Sequence, residues 1–147
     1  MTMNKLSNFI ILILLLILGT ILYLAFWPTE VMQPNVQPYK INQSVIEAGQ
    51  EIYFTADYCK FKPLPAKVSR SIIDTTIIFL AETTTNLDTG CKKVDTSVLI
   101  PLNTPPGIYY IQSTLTYRLN PLHEMNYRLV TEKFEVTNKC LVEKVCK

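Results

Sequence analysis

The chain has 147 residues, a net charge of +2, four cysteines and a single histidine. That length holds one domain, and so slight a basic excess argues against a nucleic-acid binder, which concentrates positive charge on one face. Only four glycines occur, none in a phosphate-cradling array, so a nucleotide-binding loop is excluded.

Residues 1–8 form a short N-terminus whose one charged side chain is Lys5. Residues 9–27, FIILILLLILGTILYLAFW, follow without a charge. As a helix this run spans roughly 28 Å, close to the hydrocarbon thickness of a bilayer. A cleaved signal peptide is the competing reading, but its apolar stretch is normally about 7–15 residues and ends in small residues. Here Tyr23, Phe26 and Trp27 crowd the place where the cleavage site belongs. The run therefore predicts a transmembrane signal-anchor helix. Lys5 before it and the scarcity of charge after it put the N-terminus in the cytoplasm and the C-terminal domain outside, with Tyr23 and Trp27 at the outer interface. In a bacterial or phage-encoded setting the location is the inner membrane, with the domain in the periplasm.

Residues 28–39, PTEVMQPNVQPY, hold three prolines and one charge, which predicts a semi-rigid stalk. From residue 40 the pattern turns to period two. A short strand is expected in 40–48. In EIYFTADYC, Ile52, Phe54, Ala56 and Tyr58 share a face, and the prolines of the following loop, KFKPLPAK, forbid a central strand there. VSRSIIDTTIIFLAETTT, rich in Ile and Thr, reads as one long strand or two short ones. Val94, Thr96, Val98, Ile100 and Leu102 alternate, as do Tyr109, Ile111, Ser113, Leu115, Tyr117 and Leu119 after the corner TPPG. The final strand, YRLVTEKFEV, slips its alternation near Thr131. The expected fold class is all-β, an antiparallel sandwich of about seven strands over 40–138, preceded by one transmembrane α-helix and followed by a tail at 139–147.

All four cysteines, Cys59, Cys91, Cys140 and Cys146, lie after the apolar run, and an even count outside the cytoplasm points to disulfides. Three pairings are open. Cys59–Cys91, stapling two neighbouring loops, with Cys140–Cys146, closing the tail, is the favoured one. No C-x-x-C motif and only one histidine leave no zinc site, so neither a metal nor any other cofactor is expected.

The stretch IPLNTPPGIYYI, residues 100–111, resembles the E–F corner of immunoglobulin-like and fibronectin-type domains. There a chain crosses between sheets through a proline- and glycine-bearing loop, and a nearby tyrosine ties it down. The resemblance covers residues 40–138 and implies an immunoglobulin-like sandwich. Pro106 and Gly107 suit the centre of a type II turn, with Gly107 at positive φ, and Tyr109 or Tyr110 is the expected tie. The layout as a whole is similar to small membrane proteins encoded by bacteriophages. The elements are Tyr58-Cys59-Lys60, Arg70, Gly90-Cys91, Ile100-Pro101, residues 105–109, 117–122 and 131–136.

Lone His123, in the loop NPLHEM beside Glu124, is the one conceivable catalytic base, but no nucleophile motif accompanies it. No enzyme activity and no small-molecule substrate are therefore expected. Lys60, Lys62, Lys67 and Arg70 form a basic cluster suited to lipid headgroups, an acidic partner or plain solvation, with Arg70 placed to pair with Asp57 or Asp74. In an immunoglobulin-like sandwich the B–C and F–G loops share one end. Here these are 60–67 and 120–126, carrying Phe61, Lys62, Leu64, Leu122, His123 and Met125 as candidate partner-binding residues. The leading expectation is a non-catalytic, single-pass membrane protein that holds the bilayer through its anchor. Its domain binds another membrane, envelope or virion protein. The alternative, implied by the phage resemblance, is a structural component of a particle or a protein acting on the host envelope, for example against reinfection. An envelope hydrolase is third.

Overall fold

A computed structural model describes residues 3–26, 29–35 and 37–138 of the chain. Cys140 and Cys146, and with them the pairing expected in the tail, lie outside the described residues, as does Trp27. Helix α1 runs Met3–Phe26. Its part Ser7–Phe26 has a mean hydropathy of 3.0 and buries none of it against the rest of the molecule. The hydroxyl of Thr20 donates to the carbonyl of Leu16 within the helix (2.8 Å), so the polar group in the middle of the apolar run is satisfied by the helix itself.

The rest is β-structure. One sheet has the order β1-β3-β7, from Met32–Pro34, Glu51–Lys60 and Gly90–Leu99. The other follows β2-β10-β8-β4-β5, from Val45–Glu47, Phe134–Thr137, Gly107–Asn120, Ala66–Ile73 and Ile77–Phe79. To these β6, Thr83–Thr85, adds on β4, and β9, His123–Val130, adds on β8. Two pairs are interrupted strands: β5 with β6, and β9 with β10. Counted so, the sheets carry the A, B and E paths on one side and A′, G, F, C and C′ on the other, an immunoglobulin-like sandwich. All ladders are antiparallel except β10 with β2, which is parallel.

Alternation buries one face of the long strands β3 and β8. Ile52, Phe54, Ala56 and Tyr58 of β3 look inward onto Val68 and Ile72 of β4 and onto Tyr109, Ile111, Leu115 and Tyr117 of β8. The slip near Thr131 is the gap between β9 and β10. It is stitched from both sides: the Ile111 N–H donates to the Thr131 hydroxyl (2.9 Å), and the Thr131 N–H donates to the Ile111 carbonyl.

Three expectations change. The proline-rich stretch is not a stalk: Val31 and Met32 are fully buried, and β1 pairs with the end of β3, Met32 opposite Lys60. The Tyr127 hydroxyl accepts the N–H groups of Val31 and Met32 (3.0 and 3.3 Å), a contact across almost a hundred positions that no local pattern announces. The turn at the corner is at 101–104, closed by the Thr104 N–H on the Pro101 carbonyl (3.0 Å), and Gly107 opens β8 without positive φ. That turn also rotates Leu102 outward, to 70% exposure, instead of continuing the inward phase of Val98 and Ile100. Positive φ belongs to Gly49 and Gly90 (91° and 96°). A Cβ on Gly49 would stand 2.5 Å from Leu102 Cδ2, but that exposed side-chain end can move aside, so it is the positive φ that calls for glycine there.

Candidate interaction surface

The corner is scaffold. The Tyr109 hydroxyl donates to the carbonyl of Pro105 (3.0 Å), which is the tie expected of a tyrosine corner. A Cβ on Gly107 would crowd the Tyr109 ring (3.1 Å) and an Asp74 carboxylate oxygen (3.3 Å), so a side chain there obliges the buried Tyr109 ring to shift by a few tenths of an ångström. The amide of Asn138 donates to the carbonyls of Leu102 and Thr104 (both 2.8 Å) and closes the corner from behind.

The loop residues singled out from sequence gather at the opposite end, where α1 leaves the sandwich. Phe61 and Leu122 are exposed, at 53% and 58%. Lys62, Leu64, His123 and Met125 are half-buried, and Leu64 and Met125 pack against the core. The F–G connection is shorter than expected. Only Pro121 and Leu122 turn, while His123 and Met125 already belong to β9, opposite Asn120 and Tyr117. His123 Nδ1 is buried without a hydrogen-bond partner among the described residues.

The basic cluster disperses. Lys60 is 1% exposed and continues the inward phase of Ile52, Phe54, Ala56 and Tyr58. Its Nζ donates to the carbonyls of Leu64 and Leu87 (2.7 and 2.5 Å) and lies over the Tyr117 ring, 5.6 Å from its centroid. Burial pushes its pKa down, while Asp88 pulls the other way. Lys60 is thus an internal strut joining the B–C loop to the turn before β7. The signal was in the sequence, since the period that places Tyr58 inside also places Lys60 inside. Lys67 pairs with Glu82 on the surface. Arg70 meets neither expected carboxylate: Asp57 accepts from Asn35 and faces Lys93, and Asp74 sits beside Gly107.

Cys59 and Cys91 are joined, but across paired strands and not between loops: they stand opposite in the β3–β7 ladder, with a Cα separation of 3.9 Å.

The open flank between β7 and β5–β6 is the surface that sequence reasoning did not single out. Ten residues of β7 pair with β3, and among the described residues no strand lies on its other edge. Behind that edge, between the sheets, is a cavity of about 140 Å³ lined by Met32, Phe54, Tyr58, Arg70, Val94 and Leu115. A cavity of that order accepts a ring-sized apolar group. Arg70 stands in its wall and also in that of the adjacent groove formed by Leu80, Val98, Leu99 and Pro101. Arg70 Nε is buried with no partner, and burial lowers the pKa of the guanidinium. Phe79, 80% exposed, and Leu99 are apolar side chains left in the open on the two facing strands. In hindsight Arg70 was legible as well: Ala66, Val68, Arg70 and Ile72 share a period-two face.

Among the described residues no three His, Cys, Asp or Glu side chains converge as a metal site would require. No protein-family model matches the chain, and no curated protein sequence does. Among solved structures it is similar to a sporulation control protein from Bacillus subtilis, with a TM-score of 0.47 at 11% identity over 80% of this chain and 54% of that one. A CARDB domain from Pyrococcus furiosus, solved with di-metal ions, gives 0.43 at 16% identity over 78% and 96%. The alkylpurine DNA glycosylase of Pseudomonas fluorescens, solved on DNA, gives 0.39 at 16% identity over 71% and 30%. The chain thus spans about half of the sporulation protein and less than a third of the glycosylase. These likenesses carry no argument about activity. The strand order and the tyrosine corner make the domain an immunoglobulin-like sandwich, joined to one apolar helix of membrane-spanning or signal-sequence length.

Proposed function

We propose that the chain is a non-catalytic, bilayer-anchored immunoglobulin-like module that binds another protein through the flank between β7 and β5–β6. The observation that carries the reading is the ten-residue edge of β7, which no strand among the described residues covers, beside exposed Phe79 and Leu99. An unpaired edge offers its N–H and C=O groups to an added strand, and the cavity behind it suits an apolar side chain from that partner. The charges of Lys92, Lys93 and Asp95 along β7 restrain indiscriminate pairing. The helix supplies the anchor. Lys5 favours a cytoplasmic N-terminus, and the Cys59–Cys91 bridge suits an oxidising compartment for the domain.

The test is affinity capture with the full chain from solubilised membranes, comparing wild type with Phe79→Glu and Leu99→Glu. A discrete partner recovered by wild type and lost from both variants, at unchanged melting temperature, is the expected result. Equal recovery by all three proteins rejects the flank as the binding surface.

A further inference from the structure

The expectation that Phe61 and Leu122 bind a protein partner meets a geometric objection, because both flank the junction with the helix. Residues 27–30 alone separate Phe26, the end of α1, from buried Val31. Four residues span at most about 18 Å between those Cα atoms. Each turn is also tied to the junction directly. The Phe61 N–H donates to the carbonyl of Val31 (2.8 Å). The side-chain amide of Asn120 donates to the carbonyl of Leu24 (2.8 Å), one of the helix's last four, which lack partners within the helix. The Oδ1 of the same Asn120 accepts the Leu122 N–H (2.8 Å). Leu24 lies in the last turn of the apolar helix, so a turn bonded to it stands at the depth where that helix leaves the hydrocarbon.

We infer that the B–C and F–G turns rest on the bilayer, with Phe61 and Leu122 set into the interface between headgroups and acyl chains. The inference rests on the anchor reading and on no protein partner. Aromatic and leucine side chains are favoured at that depth, and Lys62 beside Phe61 adds attraction to anionic headgroups. Lys60 makes the surface stiff, since its two carbonyl bonds hold the B–C loop against the turn before β7. The domain then does not swing on a stalk. It stands on its membrane-side turns, with the corner at 101–106 pointing away from the bilayer.

Depth-dependent quenching tests this on the full chain, reconstituted in phosphatidylcholine vesicles whose acyl chains are brominated near the headgroup. Trp27, the only tryptophan, reports on the anchor. In a Trp27→Phe background, Phe61→Trp and Leu122→Trp report on the turns and Phe79→Trp on the flank. The expected result is loss of emission at positions 61 and 122 comparable to that of Trp27, with position 79 unquenched. Quenching of Trp27 with none at 61 or 122 overturns the inference and leaves the anchor standing. An unquenched Trp27 removes the anchor and the inference together. Two reporters on separate turns guard against one variant failing to fold.

Discussion

Single residues hold this sandwich at places where the chain changes direction. Lys60 is fully buried with two carbonyl partners, so truncating it leaves both unsatisfied. Lys60→Ala is expected to cost about 2–3 kcal/mol, read as a lower denaturation midpoint of the full chain in detergent. Tyr109→Phe removes only the bond to Pro105 and is expected to cost about 1 kcal/mol. Gly107→Val is expected to lower the melting temperature through the crowding of Tyr109 and Asp74; an unchanged melting temperature would count against that crowding. The buried tyrosines set an alkaline limit. Burial raises the pKa values of Tyr39 and Tyr117 from 10.0 to about 12, with neighbouring Asp57 adding at Tyr39 and Tyr58 at Tyr117. The folded state thus keeps protons that the unfolded chain releases, so their contribution is complete below pH 10 and is lost as pH rises through 12. The loss is on the order of 2 kcal/mol for each, and melts of Tyr117→Phe across the alkaline range should fall less steeply than those of wild type. Both inward cations, Lys60 and Arg70, were legible from their strand phase. What the phase of Lys60 does not tell is its partners, because the Leu87 carbonyl lies 27 positions away and the nearby Leu64 carbonyl is aimed only by the path of the B–C loop.

At the scale of elements, the long strands were readable and the short ones were not. β3, β7 and β8 bury one face each, so period two exposes them directly. β1 was hidden because prolines in a polar run suggest a stalk, whereas an edge strand tolerates proline and Pro34 sits on that edge opposite Tyr58. β5 and β6 divide after Leu80, whose N–H still bonds the Arg70 carbonyl in the β5 register; by Thr83 the pairing with β4 has slipped by one residue, a tertiary choice without a local signal. The Cys59–Cys91 bridge staples β3 to β7, its cysteines 32 positions apart. A closed loop of that size is worth about 3–4 kcal/mol by chain entropy. Reduction is expected to lower the denaturation midpoint correspondingly, and Cys59→Ser with Cys91→Ser to reproduce the reduced protein. A midpoint indifferent to reductant would show that the ladder of β3 and β7 suffices alone.

For the whole molecule, the helix and the sandwich were both legible, but their joint was not. Reading 28–39 as a stalk separated the loop tips from the helix; recognising β1 brings Phe61 and Leu122 to the junction with it, on which their proposed membrane contact rests, and leaves the β7 flank as the proposed face for a partner. The proposed function therefore rests on one premise, that the apolar helix stays attached and spans the bilayer. The direct measurement is the intact mass of the protein recovered after alkaline washing of membranes that carry the full chain. A species of 16.8 kDa in the membrane pellet is the predicted result. A shorter chain released into the supernatant, cut after the apolar run, contradicts the anchor and with it the membrane-side placement of the turns.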